Sequence, residues 1–165
     1  MATTYTLIEG KTLGTTAASV TFSSIPATYT DILVKISTRS DRADIDEIIV
    51  IKPNNSTTGL TYRRLRGNGS VAASSSENGT YSNGNTTTSN TFNNAEIYFP
   101  NYTSSNNKSY SIDAVMENNA TEAYMALTAG LWSDTSAITS LVFAPNFGTN
   151  FVSGSTFYLY GIKNS

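Results

Sequence analysis

Short runs in which apolar and polar residues alternate constrain the fold of this chain more than any other feature of its sequence. In the clearest run, at 30–39, Ile32, Val34 and Ile36 share one face if the chain is extended. A period of two is typical of β-strands, because successive side chains point to opposite sides of a strand. About nine such strands, separated by turn residues, predict an antiparallel β-sandwich or a barrel.

The predicted strands differ in how they are buried. The run at 47–52 holds four successive β-branched apolar residues, which predicts a strand covered on both faces. The last strand carries large apolar side chains on both faces, which indicates either a subunit interface or a central position in a sheet. A single helical turn is expected at 133–137. The strands themselves are expected at 4–9, 18–25, 30–39, 47–52, 60–66, 95–99, 109–117, 123–131, 138–144 and 156–162.

A long stretch with little core-forming material divides the predicted strands. Residues 67–94 are rich in Ser, Asn, Gly and Thr, and their aromatic side chains are Tyr81 and Phe92. We expect a long loop there, with room for a short hairpin. A length of 165 residues suits one hydrophobic core, so the chain is predicted to be a single domain spanning 1–165.

The composition argues against several classes of function. With 0 Cys and 0 His, the chain has no thiolate nucleophile, no disulfide and no imidazole base or metal ligand. Its net charge of −2 gives no basic excess for a phosphate backbone, so nucleic-acid binding is not expected. The sequence shows neither a signal peptide nor an apolar run of membrane-spanning length. We therefore expect synthesis in the cytoplasm and no membrane partner.

One acidic cluster raises the question of a metal site. It contains Asp41, Asp44, Asp46 and Glu47. Several loop oxygens of this kind bind calcium. Arg42 lies inside the cluster, however, so a solvated turn in which Asp pairs with Arg is the preferred interpretation.

A carboxylate pair of the glycosidase type is the second alternative for chemistry. The candidates on or near strands are Glu96, Asp113, Glu117 and Glu122. Nothing in the sequence brings two of them to the separation that this chemistry needs. We therefore expect no enzymatic activity, no catalytic residue, no metal and no cofactor.

One basic cluster stands out at the end of the predicted strand 60–66. It consists of Arg63, Arg64 and Arg66. Guanidinium groups bind carboxylates and carbonyls through paired hydrogen bonds, so we expect these arginines to pair within the domain or across an interface. Together with Tyr81 and Phe92 of the long loop, they are the residues predicted to contact a partner.

Four segments of the sequence carry a resemblance to a known family. They are Phe-Ser-Ser-Ile-Pro-Ala-Thr-Tyr-Thr-Asp at 22–31, Tyr-Arg-Arg-Leu-Arg-Gly-Asn-Gly-Ser at 62–70, Ile-Tyr-Phe-Pro-Asn-Tyr-Thr at 97–103 and Gly-Ser-Thr-Phe-Tyr-Leu-Tyr-Gly-Ile-Lys at 154–163. In their order along the chain these segments resemble small structural proteins of tailed bacteriophages, especially those of marine and freshwater bacteria. The resemblance implies a jelly-roll-like β-domain that often forms trimers.

The resemblance also implies two roles. The first is a capsid decoration (cement) protein, which would bind the major capsid protein on the outer surface of the virion as a homotrimer and stabilise the shell. The alternative is a tail-fibre or receptor-binding domain that would recognise host-surface polysaccharide through the loop at 67–94. The number of copies in each virion would separate these two roles.

Overall fold

The computed structural model describes residues 4–119 and 122–163, and every regular element in them is a β-strand. The predicted domain of 1–165 also includes residues 1–3, 120, 121, 164 and 165, which lie outside the described residues. The strands are β1 (Tyr5–Thr12), β2 (Val20–Phe22), β3 (Asp31–Ser37), β4 (Asp46–Pro53), β5 (Leu60–Gly67), β6 (Ala72–Ser75), β7 (Thr80–Asn83), β8 (Asn94–Phe99), β9 (Lys108–Met116), β10 (Tyr124–Trp132), β11 (Leu141–Pro145) and β12 (Thr156–Ile162).

These strands form two antiparallel sheets that pack as a sandwich in one domain, as the hydrophobic pattern predicted. The larger sheet has the order β1-β12-β3-β8-β9-β10-β5-β6 and the smaller sheet the order β2-β11-β4-β7. Consecutive strands change sheet except in the hairpin β5–β6 and the meander β8–β9–β10. The smaller sheet and the strands β3, β10, β5 and β6 of the larger sheet together follow the strand order of a jelly roll. The hairpin β8–β9 is inserted between β3 and β10.

The core lies between the sheets and explains the alternation of the sequence. In β9, Tyr110, Ile112, Ala114 and Met116 are buried while the residues between them are exposed. Phe143 of the smaller sheet meets Phe157 of the larger sheet with ring centroids 5.9 Å apart. We call the side of the larger sheet that is turned away from this core the outer face.

Strand β4 is buried on both faces, as its continuous apolar run predicted. Ile49 and Ile51 belong to the main core. Ile48 belongs to a second cluster with Tyr81 and Met116. Both sides of the strand are therefore covered by other parts of the same chain.

The predicted helical turn at 133–137 is wrong. The amide of Ser133 donates to the carbonyl of Gly59 at 2.7 Å, and the amide of Ile138 donates to the carbonyl of Tyr102 at 2.9 Å. The side chain of Asp134 accepts from the amide of Ser136, as a cap would. Hydrogen bonds to neighbouring loops thus replace the bonds that a helical turn would have made.

The predicted loop at 67–94 contains two short strands, but they do not form a hairpin. Strand β6 pairs with β5 in the larger sheet, whereas β7 pairs with β4 in the smaller sheet. The chain therefore crosses between the sheets inside this stretch. Its later part is held by the buried Arg39, whose guanidinium donates to the carbonyls of Asn85, Thr87, Thr88 and Thr91.

Candidate partner-binding surfaces

The three predicted arginines of β5 point to opposite sides of the larger sheet. Arg63 is exposed on the outer face. Arg64 is buried, with 2% of its surface exposed, and Arg66 is half-buried on the same inner side. The alternation of the strand separates neighbours that the sequence places together.

Arg64 is bound within this chain. Its Nη1 donates to Glu77 Oε2 at 3.0 Å, and its Nη2 donates to the carbonyls of Glu77 at 3.3 Å and Gly79 at 3.0 Å. The Glu77 side chain is 60% exposed, so the ion pair itself contributes little. The bonds to backbone carbonyls matter more, because they fix the segment that crosses from β6 to β7.

Arg66 and Tyr81 belong to a stack that closes the inner side of β5. The rings of Tyr81 and Tyr124 are stacked, with centroids 4.9 Å apart. The guanidinium of Arg66 lies 5.0 Å from the ring centroid of Tyr124 and donates to the hydroxyl of Tyr81. That hydrogen bond is the main reason why the pKa of Arg66 is raised. Burial, followed by the hydrogen bond to Glu122, raises the pKa of Tyr124 to about 12.

Phe92 lies apart from these arginines. Its half-buried ring packs against Gly154, which has a φ of +90° and so favours glycine. The structure therefore gathers Arg64, Arg66 and Tyr81 into one internal cluster and leaves Arg63 and Phe92 elsewhere. That any of the five contacts a partner stays a prediction.

The acidic cluster shows the predicted local pairing. Arg42 binds Asp44 Oδ2 at 2.8 Å and Asp46 Oδ1 at 3.0 Å. Asp46 has a raised pKa, because burial outweighs the attraction of Arg42. Within 4–119 and 122–163, no group of three or more acidic side chains could hold a metal ion.

The other two acids of this cluster hold a loop between β11 and β12. Glu47 is fully buried and accepts from the amides of Phe147 and Gly148, and Asp41 accepts from those of Thr149 and Asn150. Four successive amides are thus bound by two carboxylates. In this loop Phe147 stays 58% exposed.

The four strand carboxylates considered for glycoside chemistry are not gathered in one cleft, although Glu96 and Asp113 line the same depression. Glu96 and Asp113 face each other across β8 and β9 on the open outer face. Glu117 accepts from two amides of the turn that follows β9. Glu122 accepts from the hydroxyl of Tyr124 beside the arginine cluster.

An apolar surface on the outer face was not recognised from the sequence. Leu65, Met125 and Leu127 are 57%, 65% and 59% exposed, and Val115 is 38% exposed. Leu127 pairs with Leu65 across β10 and β5, and Met125 pairs with Val115 across β10 and β9. These four residues, which we call the aliphatic patch, form a contiguous surface on three neighbouring strands. The strict alternation of β10 was the available signal, but it did not tell which side faces water.

A second feature of the outer face lies across the sheet from the aliphatic patch. A groove of about 330 Å³ is lined by Tyr5, Leu33, Lys35, Glu96 and Tyr160, and we call it the tyrosine groove. Lys35 Nζ lies 2.7 Å from Glu96 Oε1. The hydrogen bond that Lys35 donates to Glu96 raises the pKa of Lys35. The outer face therefore has an aliphatic half and a polar aromatic half.

Comparison of the chain with protein-family models, with curated proteins and with solved structures found no match. In the described residues no helix is long and apolar enough to cross a membrane.

Proposed function

We propose that this chain is a structural protein of a tailed-phage particle, which decorates the outer surface of the capsid as a homotrimer. The aliphatic patch is the observation that carries the proposal. Single exposed apolar side chains are common on protein surfaces, but a contiguous group on three strands is typical of an interaction surface. The phage assignment rests on the sequence resemblance, whose segments lie largely on β3, β5, β8 and β12 or in the loops beside them.

The energetics of the aliphatic patch favour several copies acting together. Fully burying one such side chain stabilises by about 1.5–3 kcal/mol, so covering four side chains that are roughly half exposed contributes about 3–6 kcal/mol. Association costs about 4–15 kcal/mol in lost translational and rotational freedom. One patch is therefore the centre of an interface and needs further contacts. A trimer attached at several points would gain affinity without any new kind of contact.

Decoration would stabilise the shell through mass action. Contacts that span neighbouring capsid subunits exist only in the assembled shell. They lower the free energy of that state and leave the dissociated subunits unchanged. The chain then needs no catalytic site.

The experiment begins with the purified protein and a substitution in the aliphatic patch. We expect light scattering after size-exclusion chromatography to show a trimer. Leu127→Asp should weaken the association at least tenfold, which corresponds to about 1.4 kcal/mol. Thr21→Asp is the matched control, because it places the same charge on an exposed position of the smaller sheet. A wild-type monomer at all concentrations, or equal effects of the two variants, would contradict the role of the patch.

Capsid attachment is tested separately. The wild-type protein should co-sediment with shells of the encoding phage that lack it, and Leu127→Asp should not. Quantitative mass spectrometry of purified particles should find as many copies as the shell has repeated sites. No co-sedimentation together with only a few copies per particle would reject decoration.

The second candidate function is a tail-fibre or receptor-binding domain that recognises host polysaccharide. The tyrosine groove favours it, because aromatic rings beside a polar pair suit sugar rings better than they suit a dry protein interface. A few copies per particle, located at the tail, would support this candidate.

A further inference from the structure

We infer that the tyrosine groove binds a neutral carbohydrate chain. This inference deepens the second candidate function by naming the ligand class of its groove. It concerns a site different from the aliphatic patch and does not depend on capsid attachment.

The groove has an apolar floor and aromatic walls. On β3, Leu33 pairs with Tyr160 of β12 on one side and with Tyr98 of β8 on the other. Leu33 is only 6% exposed although it lies on the outer face, whereas Tyr5 is 55% exposed. The half-buried Tyr98 and Tyr160 therefore cover the floor, and Tyr5 remains open to a ligand. The hydroxyl of Tyr98 is fixed by Asp31 at 2.8 Å.

The polar groups of the groove have unused capacity for hydrogen bonds. The side chains of Lys35 and Glu96 are each 48% exposed. Within the described residues, the ammonium group of Lys35 donates to no acceptor other than Glu96. An ammonium has three donors and a carboxylate has two acceptor oxygens, so this pair can still bind hydroxyl groups of a ligand.

The charge of the site selects a neutral ligand. Lys35 and Glu96 cancel each other, and Asp113 faces Glu96 across the next strand pair. This additional negative charge disfavours phosphate and carboxylate ligands. A wholly apolar ligand would remove water from the ion pair without replacing its hydrogen bonds, which is costly. A sugar ring has an apolar C–H face for the tyrosines and hydroxyl groups for the ion pair.

The dimensions suit a chain rather than an isolated small molecule. The volume of about 330 Å³ lies at the lower end of the range for ligand sites. A second depression, lined by Asn94, Ala95, Glu96, Asp113 and Val115, shares Glu96 with the groove. A ligand that runs across β3, β8 and β9 would contact both.

Three of the four strands that line the groove are held on both sides, whereas β1, which carries Tyr5, is the edge strand of the sheet. Strand β3 pairs with β12 and β8, β8 pairs also with β9, and β12 pairs also with β1. Interior strands keep their side chains in place, so little ordering is needed when a ligand binds.

The test uses the full-length protein and a panel of soluble oligosaccharides. The neutral probes are linear hexasaccharides of glucose, mannose, galactose and N-acetylglucosamine, and the charged probe is a heparin hexasaccharide. We expect chemical-shift changes at Tyr5, Lys35 and Tyr160 with at least one neutral probe, and none with heparin. No shift with any neutral probe, or stronger binding of heparin, would overturn the inference.

Variants assign the binding to the groove. Tyr160→Ala should lower the affinity at least tenfold, whereas Tyr160→Phe keeps the ring and should retain most of it. Thr21→Asp, at an exposed position of the smaller sheet and outside the aliphatic patch, is the control and should bind as the wild type does. Undiminished binding by Tyr160→Ala, or equal loss in Thr21→Asp, would overturn the assignment. So would dissociation of the oligomer by Tyr160→Ala without any carbohydrate binding, because the groove would then be a subunit contact.

Discussion

The inner and outer faces of the larger sheet are formed by the same strands, yet the inner face is covered by its own chain and the outer face is largely open. On the inner face Phe157 is fully buried, and Arg64 is bound by side-chain and backbone oxygens. On the outer face Met125 and Leu127 remain largely exposed. The inner face therefore accounts for the stability of the domain, and the outer face is available for association.

Strand β10 shows how this difference arises. Between the inner side chains of Tyr124 and Trp132 at its two ends, its inner positions are small, with Ala126, Thr128 and Gly130. At Gly130 a Cβ would lie 2.4 Å from the ring of Tyr110, so the tyrosine takes the space that a larger residue would need. The large aliphatic residues of β10 consequently lie outside. The more hydrophobic side of a strand is therefore not always the side that faces the core.

The largest difference in stability is expected between substitutions of two adjacent residues of β12, one on each face of the sheet. Phe157→Ala should cost about 3–5 kcal/mol of unfolding free energy, because it leaves a cavity between the sheets. Tyr158→Ala changes the outer face and should cost about 1 kcal/mol or less. Urea denaturation of both variants measures the difference. Equal costs would show that the outer face stabilises the isolated chain as much as the inner face does.

A second pair of matched substitutions, one on each face of the sheet, lies on β5. Arg64→Met removes donors from the carbonyl of the buried Gly79 and from that of Glu77, and we expect a loss of about 2–4 kcal/mol. Arg63→Met alters an exposed position and should stay within about 0.5 kcal/mol of the wild type. The check is again the denaturation midpoint. A neutral Arg64→Met would remove our account of the crossing between β6 and β7.

A smaller effect should appear in the concentration dependence of thermal unfolding. If copies cover the aliphatic patch, the melting temperature rises with protein concentration, because association stabilises the folded state. Leu127→Asp should abolish this dependence while the melting temperature at low concentration changes little. Scanning calorimetry over a range of concentrations is the measurement. A wild-type melting temperature that is independent of concentration would contradict burial of the patch.

The smallest effect on stability is expected for a substitution of Asp41, which binds amides of the loop between β11 and β12. Burial alone would raise its pKa, but hydrogen bonds from Asn150 and Thr149 outweigh burial and hold the pKa below its usual value. A carboxyl group with a lowered folded-state pKa contributes stability above its unfolded pKa of about 3.9, and this contribution is lost as the pH falls through the folded value. Asp41→Asn should therefore be less stable than the wild type near neutral pH.

The pH dependence of the stability of Asp41→Asn serves as the control for this prediction. The difference in unfolding free energy between Asp41→Asn and the wild type should shrink as the pH is lowered below about 4. Denaturation curves across this range measure it. A difference that does not depend on pH would show that the charge of Asp41 has no role in holding the loop.

Much of the fold could be predicted from the sequence, and less of the candidate surfaces. The period of two located β3 and β9, and the continuous apolar run located β4, because these patterns reflect local geometry. The stretch at 67–94 hid β6 and β7, since short polar strands lack a hydrophobic pattern and depend on partners distant in sequence. The helical turn predicted at 133–137 was wrong, because the amides of Ser133 and Ile138 bind carbonyls of loops distant in sequence.

The candidate residues show a similar limit. Arg63, Arg64 and Arg66 were recognised as a group because they are close in sequence. Only the structure showed that Arg64 is enclosed by its own chain while Arg63 is exposed. The aliphatic patch and the tyrosine groove combine residues from several strands, so no local sequence motif predicts them.

By itself, the sequence determined the class of fold and the strands of strongest pattern, because alternation and turn chemistry act between neighbours along the chain. Tertiary structure decided which side of each strand is covered, since that depends on how strands distant in sequence pair and on which side chains fill the limited space between the sheets. On β10 this space was taken by tyrosine, and the aliphatic residues were left on the surface.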